Sequence, residues 1–234
     1  MTQSHSKSSD VKIQNYKYYH KISLVFILCL IIANIGATKL FTIGNLIMPG
    51  GIVVFPLLYV INDILTEVYG FKASRKVIWL ALFCNLFSTF VLFGITLLPP
   101  APHWSNHEGF ASVFSLAPRI LVASFTSYFI GELLNASTIS ILKIQLEGKF
   151  FALRAILSTC VGAFIETTIF ALIAFSHYLP FSEVLNITLT LTIVKVLYEL
   201  TVLPITVKIA TYLKKAENID VYEKPTLRNA FSFY

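Results

Sequence analysis

Long apolar stretches alternate with short polar intervals along the whole chain, and only the two ends read as extended polar segments. A bilayer core of about 30 Å takes roughly 20 helical residues to cross. Six stretches reach that scale: Ile22–Leu40, Ile52–Tyr69, Val77–Leu98, Pro118–Leu142, Ala152–Tyr178 and Leu185–Leu213. Helix breakers set several of their limits. Pro99, Pro100 and Pro102 stop the third stretch, and Pro118 suits the first turn of the fourth. Pro204 lies inside the sixth and is expected to kink it. Pro49-Gly50-Gly51 breaks the chain before the second helix and predicts an irregular stretch at membrane depth. The expected organisation is a polar tail over 1–21, a six-helix transmembrane domain over 22–213, and a second polar tail over 214–234.

Charge gives this pattern an orientation. Lys7, Lys12, Lys17 and Lys21 precede the first helix, and Lys72, Arg75 and Lys76 follow the second. Lys143, Lys149 and Arg154 separate the fourth from the fifth, while Lys208, Lys214, Lys215, Lys224 and Arg228 close the chain. The intervening loops are almost free of cationic side chains. Positive charge is retained on the cytoplasmic side, so an all-α protein with six crossings and both termini cytoplasmic is expected. No cleavable signal is recognisable, because the first apolar run is too long and lacks a small-residue cleavage site.

Composition adds exclusions. Only 13% of the residues are charged, about half the roughly 25% of a soluble domain. The formal net charge of +6 follows from the loops, so no nucleic-acid partner is needed to explain it. Cys29, Cys84 and Cys160 each sit in an apolar run and suggest neither a disulfide framework nor a metal cluster. Trp104, in the long loop Pro99–Ala117, reads as an interfacial anchor, with His103 and His107 as a less favoured metal pair.

Several charges fall where apolar residues would be cheaper. Charge at the bilayer centre is costly and usually faces a bundle interior or a wet cavity. Phe55, Tyr59, Asp63 and Glu67 recur every fourth residue and stack on one helix face. Tyr128, Glu132 and Asn135 form a second stripe, Thr159, Gly162 and Glu166 a third, and Thr188, Thr192, Lys195 and Glu199 a fourth. Lys195 and Glu199 are spaced for an i,i+4 ion pair. Carboxylates from four helices predict a polar central cavity. Lined also by rings and by amides such as Asn34, Asn62 and Asn85, it would suit a small flat solute bearing N–H groups. Proton coupling through Asp63, Glu132 or Glu166 is equally compatible with these residue types.

The chain does not read as an intramembrane enzyme. Its histidines lie near helix ends or in the tail, and no nucleophile–base pair, His-Glu-x-x-His or Gly-x-Ser-x-Gly arrangement occurs. The absence of a Walker motif excludes intrinsic ATP hydrolysis.

A longer set of residues resembles a known family. Phe55-Pro56-Leu57-Leu58-Tyr59, Asp63, Thr66-Glu67-Val68-Tyr69-Gly70 and Arg75 resemble the signature of the queuosine precursor transporters, also grouped with vitamin uptake transporters. The resemblance continues through Ala33-Asn34, Lys39-Leu40, Leu98-Pro99-Pro100-Ala101-Pro102, Pro118-Arg119-Ile120, Gly131-Glu132, Ser158-Thr159, Glu166-Thr167-Thr168, Lys195-Val196 and Glu199. Many members carry Asp at the position of Glu166, and some carry Gln-x-x-Asp across the positions of Glu132 and Asn135. The resemblance implies import, across the bacterial inner membrane, of a 7-deazaguanine base used in tRNA modification: the cyano or aminomethyl precursor, or queuine. It implies no cofactor. On this reading Glu132 and Glu166 grip the edge of the base, Phe55 or Tyr59 stacks on it, Asn85 and Asn135 supply amides, and Asp63 with Lys195–Glu199 gates or couples transport. The alternative is a substrate-capture subunit served by an ATP-driven module. A second copy of the chain is the other partner left open.

Overall fold

The computed structural model describes residues 16–43, 46–114, 118–175, 180–223 and 225. Helix α1 spans Tyr19–Gly36 and is followed by an antiparallel hairpin, β1 (Leu40–Ile43) and β2 (Leu46–Pro49), paired from Leu40 opposite Pro49 to Ile43 opposite Leu46. A 3-10 turn at Gly50–Val53 leads into α2 (Phe55–Tyr69). Then come α3 (Phe71–Thr96), the short α4 (His107–Phe114), α5 (Pro118–Gln145), α6 (Phe151–Phe175) and α7 (Phe181–Glu217). Each of the six apolar stretches is helical over most of its length. The hairpin is an addition to the all-α expectation. The first helix ends at Gly36 rather than Leu40, because the chain turns there into β1. The glycine-rich break folds as β2 and the 3-10 turn.

Among the described residues, four helices are long and apolar enough to cross a membrane: α1, α3, α6 and α7. The polarity of the bundle is inverted relative to a soluble protein. Along α7, Leu185, Leu189, Ile193 and Leu197 are exposed, while Thr188, Lys195 and Glu199 are buried. Phe83, Phe87 and Phe90 form a similar outward stripe on α3. Lipid is the solvent that such a surface suits. At 1.5 Å per residue, α7 is about 55 Å long and outruns a bilayer core of about 30 Å. It continues as one helix through Pro204.

Helix α2 is different. Its 15 residues reach only about 22 Å, and thirteen of them are buried. It packs against α1, α3, α5, α6 and α7. A helix enclosed on every side can carry polar residues on several faces, because neighbouring helices supply partners. Pro56 fits its first turn. Gly70, at φ 87°, ends it and begins α3 one residue later, a left-handed conformation that favours glycine.

The tightest crossing is between α5 and α6. A Cβ on Gly131 would lie 2.5 Å from Cβ of Glu166, and one on Gly162 would lie 2.9 Å from Cβ of Asn135. Small residues let helix backbones approach where no water competes for the contact.

One end of the bundle collects the α1 start, the α2–α3 joint, the α5–α6 loop and the chain beyond α7. Backbone N–H groups of Lys17 and Tyr18 donate to Glu217 at 3.0 and 2.7 Å, and Tyr19 donates to the carbonyl of Ala73 at 3.0 Å. Most of the described Lys and Arg residues of the polar intervals lie here. Lys7, Lys12, Lys224, Arg228 and the side chain of Arg119 fall outside the described residues.

Candidate functional site

Three levels of α2 organise the interior. Tyr59, Asp63 and Glu67 follow at i, i+4 and i+8, so one helix face presents a phenol and two carboxylates in a column. Each level meets a different set of partners.

At the first level, the Tyr59 hydroxyl donates to Glu166 of α6 through a short hydrogen bond. Lys195 of α7 approaches the same carboxylate oxygen at 2.9 Å and Thr167 Oγ1 at 3.5 Å. Its ammonium lies 4.8 Å from the Phe55 ring centre and 5.5 Å from that of Tyr59, within the range of cation–π attraction. Phe55 meets Tyr128 edge to face, with ring centres 6.0 Å apart. Glu132 lies one turn from Tyr128 on α5; its side chain accepts from Asn62 Nδ2 at 2.5 Å, and Ser74 in turn donates to Asn62.

At the second level, Asn135 Nδ2 donates to Asp63 Oδ1 at 2.6 Å. Glu199 stands one turn beyond Lys195 on α7, as Asp63 stands one turn beyond Tyr59 on α2, and Lys195 lies beside Tyr59. At the third, Arg154 grips Glu67 with two guanidinium nitrogens, at 2.5 and 3.0 Å. Lys214 pairs with the same carboxylate, and Lys143 stands 4.0 Å away while donating to the Glu67 carbonyl at 2.6 Å. Lys143 and Lys214 also hold Asp220 at 2.5 and 3.0 Å. Burial alone would raise the Asp220 carboxyl, but hydrogen bonds from these two ammonium groups hold it below its ordinary range. The third level is an electrostatic lock at the basic end of the bundle.

Above the first level, away from the lock, lies a cavity of about 120 Å³. Leu30, Ala33 and Asn34 of α1, with Ala37 just after it and Gly51 and Ile52 of the 3-10 turn, form one side, and Phe55, Leu82, Asn85 and Leu86 another. Ser124, Phe125, Ser127 and Tyr128 of α5, Glu166, Thr167 and Phe170 of α6, and Leu191 and Lys195 of α7 complete it. The Tyr128 hydroxyl is buried and has no hydrogen-bond partner among the described residues. A smaller cavity of about 30 Å³ leads toward α4 and shares Asn34, Asn85 and Ser124 with the larger one.

Of the residues expected from sequence to form the site, Phe55, Asn85, Glu166 and Lys195 line this cavity. Tyr59 is behind it, bonded to Glu166, and Glu132 is bonded to Asn62. Asp63, Asn135 and Glu199 belong to the level beneath. The i,i+4 ion pair expected between Lys195 and Glu199 does not form. Lys195 turns to Glu166 instead, and neither Glu199 oxygen has a hydrogen bond among the described residues. Charge opposite Lys195 on α6, with two aromatic faces beside it, outweighs the neighbour on its own helix. Ser127 and Phe125 are lining residues that sequence reasoning passed over. Hydroxyls and rings are common in membrane helices, so nothing in the sequence set these two apart.

No metal-binding group of three or more His, Cys, Asp or Glu residues occurs among the described residues. His107 instead meets Trp104 edge to face at 6.1 Å.

Comparison with known proteins fits this architecture. The family model described as "Putative vitamin uptake transporter" matches residues 49–209, which covers every cavity-lining helix except α1. A protein of Bacillus subtilis (strain 168) named "Probable queuosine precursor transporter" is 28% identical over 192 residues, 81% of this chain and 84% of its own length. A protein of the same name from Haemophilus influenzae is 25% identical over 154 residues, 66% of this chain and 62% of its own length. No solved structure matches. A family match over this span, joined to a multi-pass bundle with a polar interior, identifies the chain as a member of the vitamin uptake transporter family.

Proposed function

We propose that this protein imports a 7-deazaguanine precursor of queuosine across the bacterial inner membrane, using the cavity above Glu166 as its binding site. The observation that carries this reading is the Glu166–Lys195–Tyr59 cluster at the floor of that cavity, flanked by Phe55. A guanine-like edge presents adjacent N–H donors that one carboxylate accepts in pairs. Phe55 or Phe125 offers a ring face, and Asn34, Asn85, Ser124, Ser127 and the Tyr128 hydroxyl read the remaining polar atoms. Glu132, Glu166 and Lys195 carry a net charge of −1 when ionised, which favours a base bearing an aminomethyl cation. The names of the two relatives support the same substrate class.

In this reading the chain crosses six times, with the short α2 enclosed by the others, and the lock around Glu67 faces the cytoplasm. The transmembrane domain runs over 22–213 and the tails on either side are cytoplasmic. The excess of Lys and Arg at the lock end supports this orientation. The test is complementation. A bacterium lacking queuosine synthesis and precursor uptake is given this chain and fed each base separately, and queuosine in its tRNA is measured by mass spectrometry. Modification that depends on the chain, and falls away in Glu166→Gln, is expected. Unmodified tRNA with the protein present in the membrane would overturn the reading. Uptake by the purified chain alone in liposomes separates it from a capture subunit that needs an ATP-driven partner.

A further inference from the structure

The three levels of α2 differ in counter-charge. Lys195 answers Glu166 at the first, and Arg154, Lys143 and Lys214 answer Glu67 at the third. The second holds two buried carboxylates, Asp63 and Glu199, and no Lys, Arg or His ion-pairs with either among the described residues.

Neutral oxygens gather at the same level. Asn135, fully buried, turns its amide nitrogen to Asp63 at 2.6 Å and leaves Oδ1 without a partner among the described residues. Thr159, also fully buried, stands one turn along α6 from Gly162, which packs against Asn135. Its hydroxyl is unpartnered too, as are Asp63 Oδ2 and both Glu199 oxygens. Helical spacing thus sets one buried residue with an unpartnered oxygen from each of α2, α5, α6 and α7 near this level. Buried carboxylates near one another repel, and a cation between them relieves that repulsion.

Among the charged and titratable groups around this level, Arg75 of α3 is buried with Nε and Nη2 unpartnered and makes no ion pair with Asp63 or Glu199 among the described residues. Tyr59 and Glu67 stand one turn to either side on α2, Glu132 is on α5, Glu166 and Arg154 are on α6, and Lys195 is on α7. Tyr59 and Lys195 are engaged with Glu166, Arg154 with Glu67, and Glu132 with Asn62.

We propose that Asp63 and Glu199, with Asn135 and Thr159, form a site for one monovalent cation, a shared proton or an alkali-metal ion, whose movement drives accumulation of the substrate. Hard oxygen donors of this mix serve either. The coupling route is structural: α2 carries Tyr59 and Asp63 one turn apart, and α7 carries Lys195 and Glu199 one turn apart. Cation and substrate thus act on the same two helices. The coupling part rests on the transport reading above; the binding site does not.

Two measurements on the purified full-length protein test it. In detergent, unfolding temperature is followed against Na⁺ at constant ionic strength (choline replacing it) and separately against pH. A dependence on Na⁺ or pH that flattens in both Asp63→Asn and Glu199→Gln supports the site and names the ion. Titrations that coincide for all three proteins overturn it. In liposomes, labelled 7-cyano-7-deazaguanine is followed, an uncharged base on which the membrane potential does not act directly. One coupled charge at 100 mV supports roughly 50-fold accumulation. Glu199→Gln is expected to keep gradient-free exchange of the base and lose gradient-driven accumulation. Exchange together with full accumulation in that variant overturns the coupling. Absence of exchange in the unmodified protein counts against the substrate assignment, while the detergent titrations still decide the site.

Discussion

Lys195 on α7 ties itself to Glu166 on α6 at 2.9 Å and leaves Glu199, one turn away on its own helix, without a cation. That single choice divides the polar interior into a level fit for an organic ligand and a level fit for an inorganic ion. It also locks α6 to α7 at the floor of the cavity. Removing one partner of a buried pair costs about 3–5 kcal/mol, because the other charge is left unpaired. Glu166→Gln is therefore expected to lower the unfolding temperature markedly. Glu166→Gln combined with Lys195→Met is expected to recover a large part of that loss while import stays abolished. Thermal unfolding in detergent, read beside uptake, checks both halves.

The Glu67 lock predicts a different pattern. Arg154 meets this carboxylate with two nitrogens, a geometry that Lys cannot reproduce. Arg154→Lys is expected to destabilise by about 2–4 kcal/mol, somewhat less than the ~3–5 of full removal. Glu67→Gln is expected to be more severe, since Arg154, Lys143 and Lys214 all lose their shared anion. Membrane-integrated yield and unfolding temperature measure the effect.

At Gly131 and Gly162, a methyl group has nowhere to go. Overpacking of a tight core costs about 1–3 kcal/mol. Gly131→Ala pushes directly on Glu166, so transport is expected to fall more steeply than stability. Equal losses in both would show that the crossing matters only for packing.

Asp220 gives the segment after α7 a pH response. Its carboxyl is depressed in the folded protein by Lys143 and Lys214, although burial opposes this. A depressed carboxyl contributes stability above the unfolded value, near ~4 for Asp, and loses it as pH falls through the folded value. Amide exchange at residues 219–223 is expected to quicken as pH drops below that range, after correction for the intrinsic pH dependence of exchange. Asp220→Asn is expected to exchange quickly at neutral pH and to show little further change on acidification.

Much of this protein was legible before any coordinates. The apolar stretches set the helices because length and hydropathy decide what a bilayer accepts. The fourfold recurrence of Tyr59, Asp63 and Glu67 set the column on α2, because helical spacing alone puts them on one face. Breakers placed several limits: Pro118 opens α5, and Pro49-Gly50-Gly51 falls in the break before α2. Pairing between helices was not legible. Lys195 had an acidic neighbour at i+4 on its own helix, and only the packing of α6 beside α7 offered it a better one. Glu67 read as one more member of a ligand-facing stripe until Arg154 and Lys214 closed on it from distant parts of the chain. Local periodicity fixes which face a side chain occupies; which charge it meets depends on how the helices pack, and that is a property of the whole bundle.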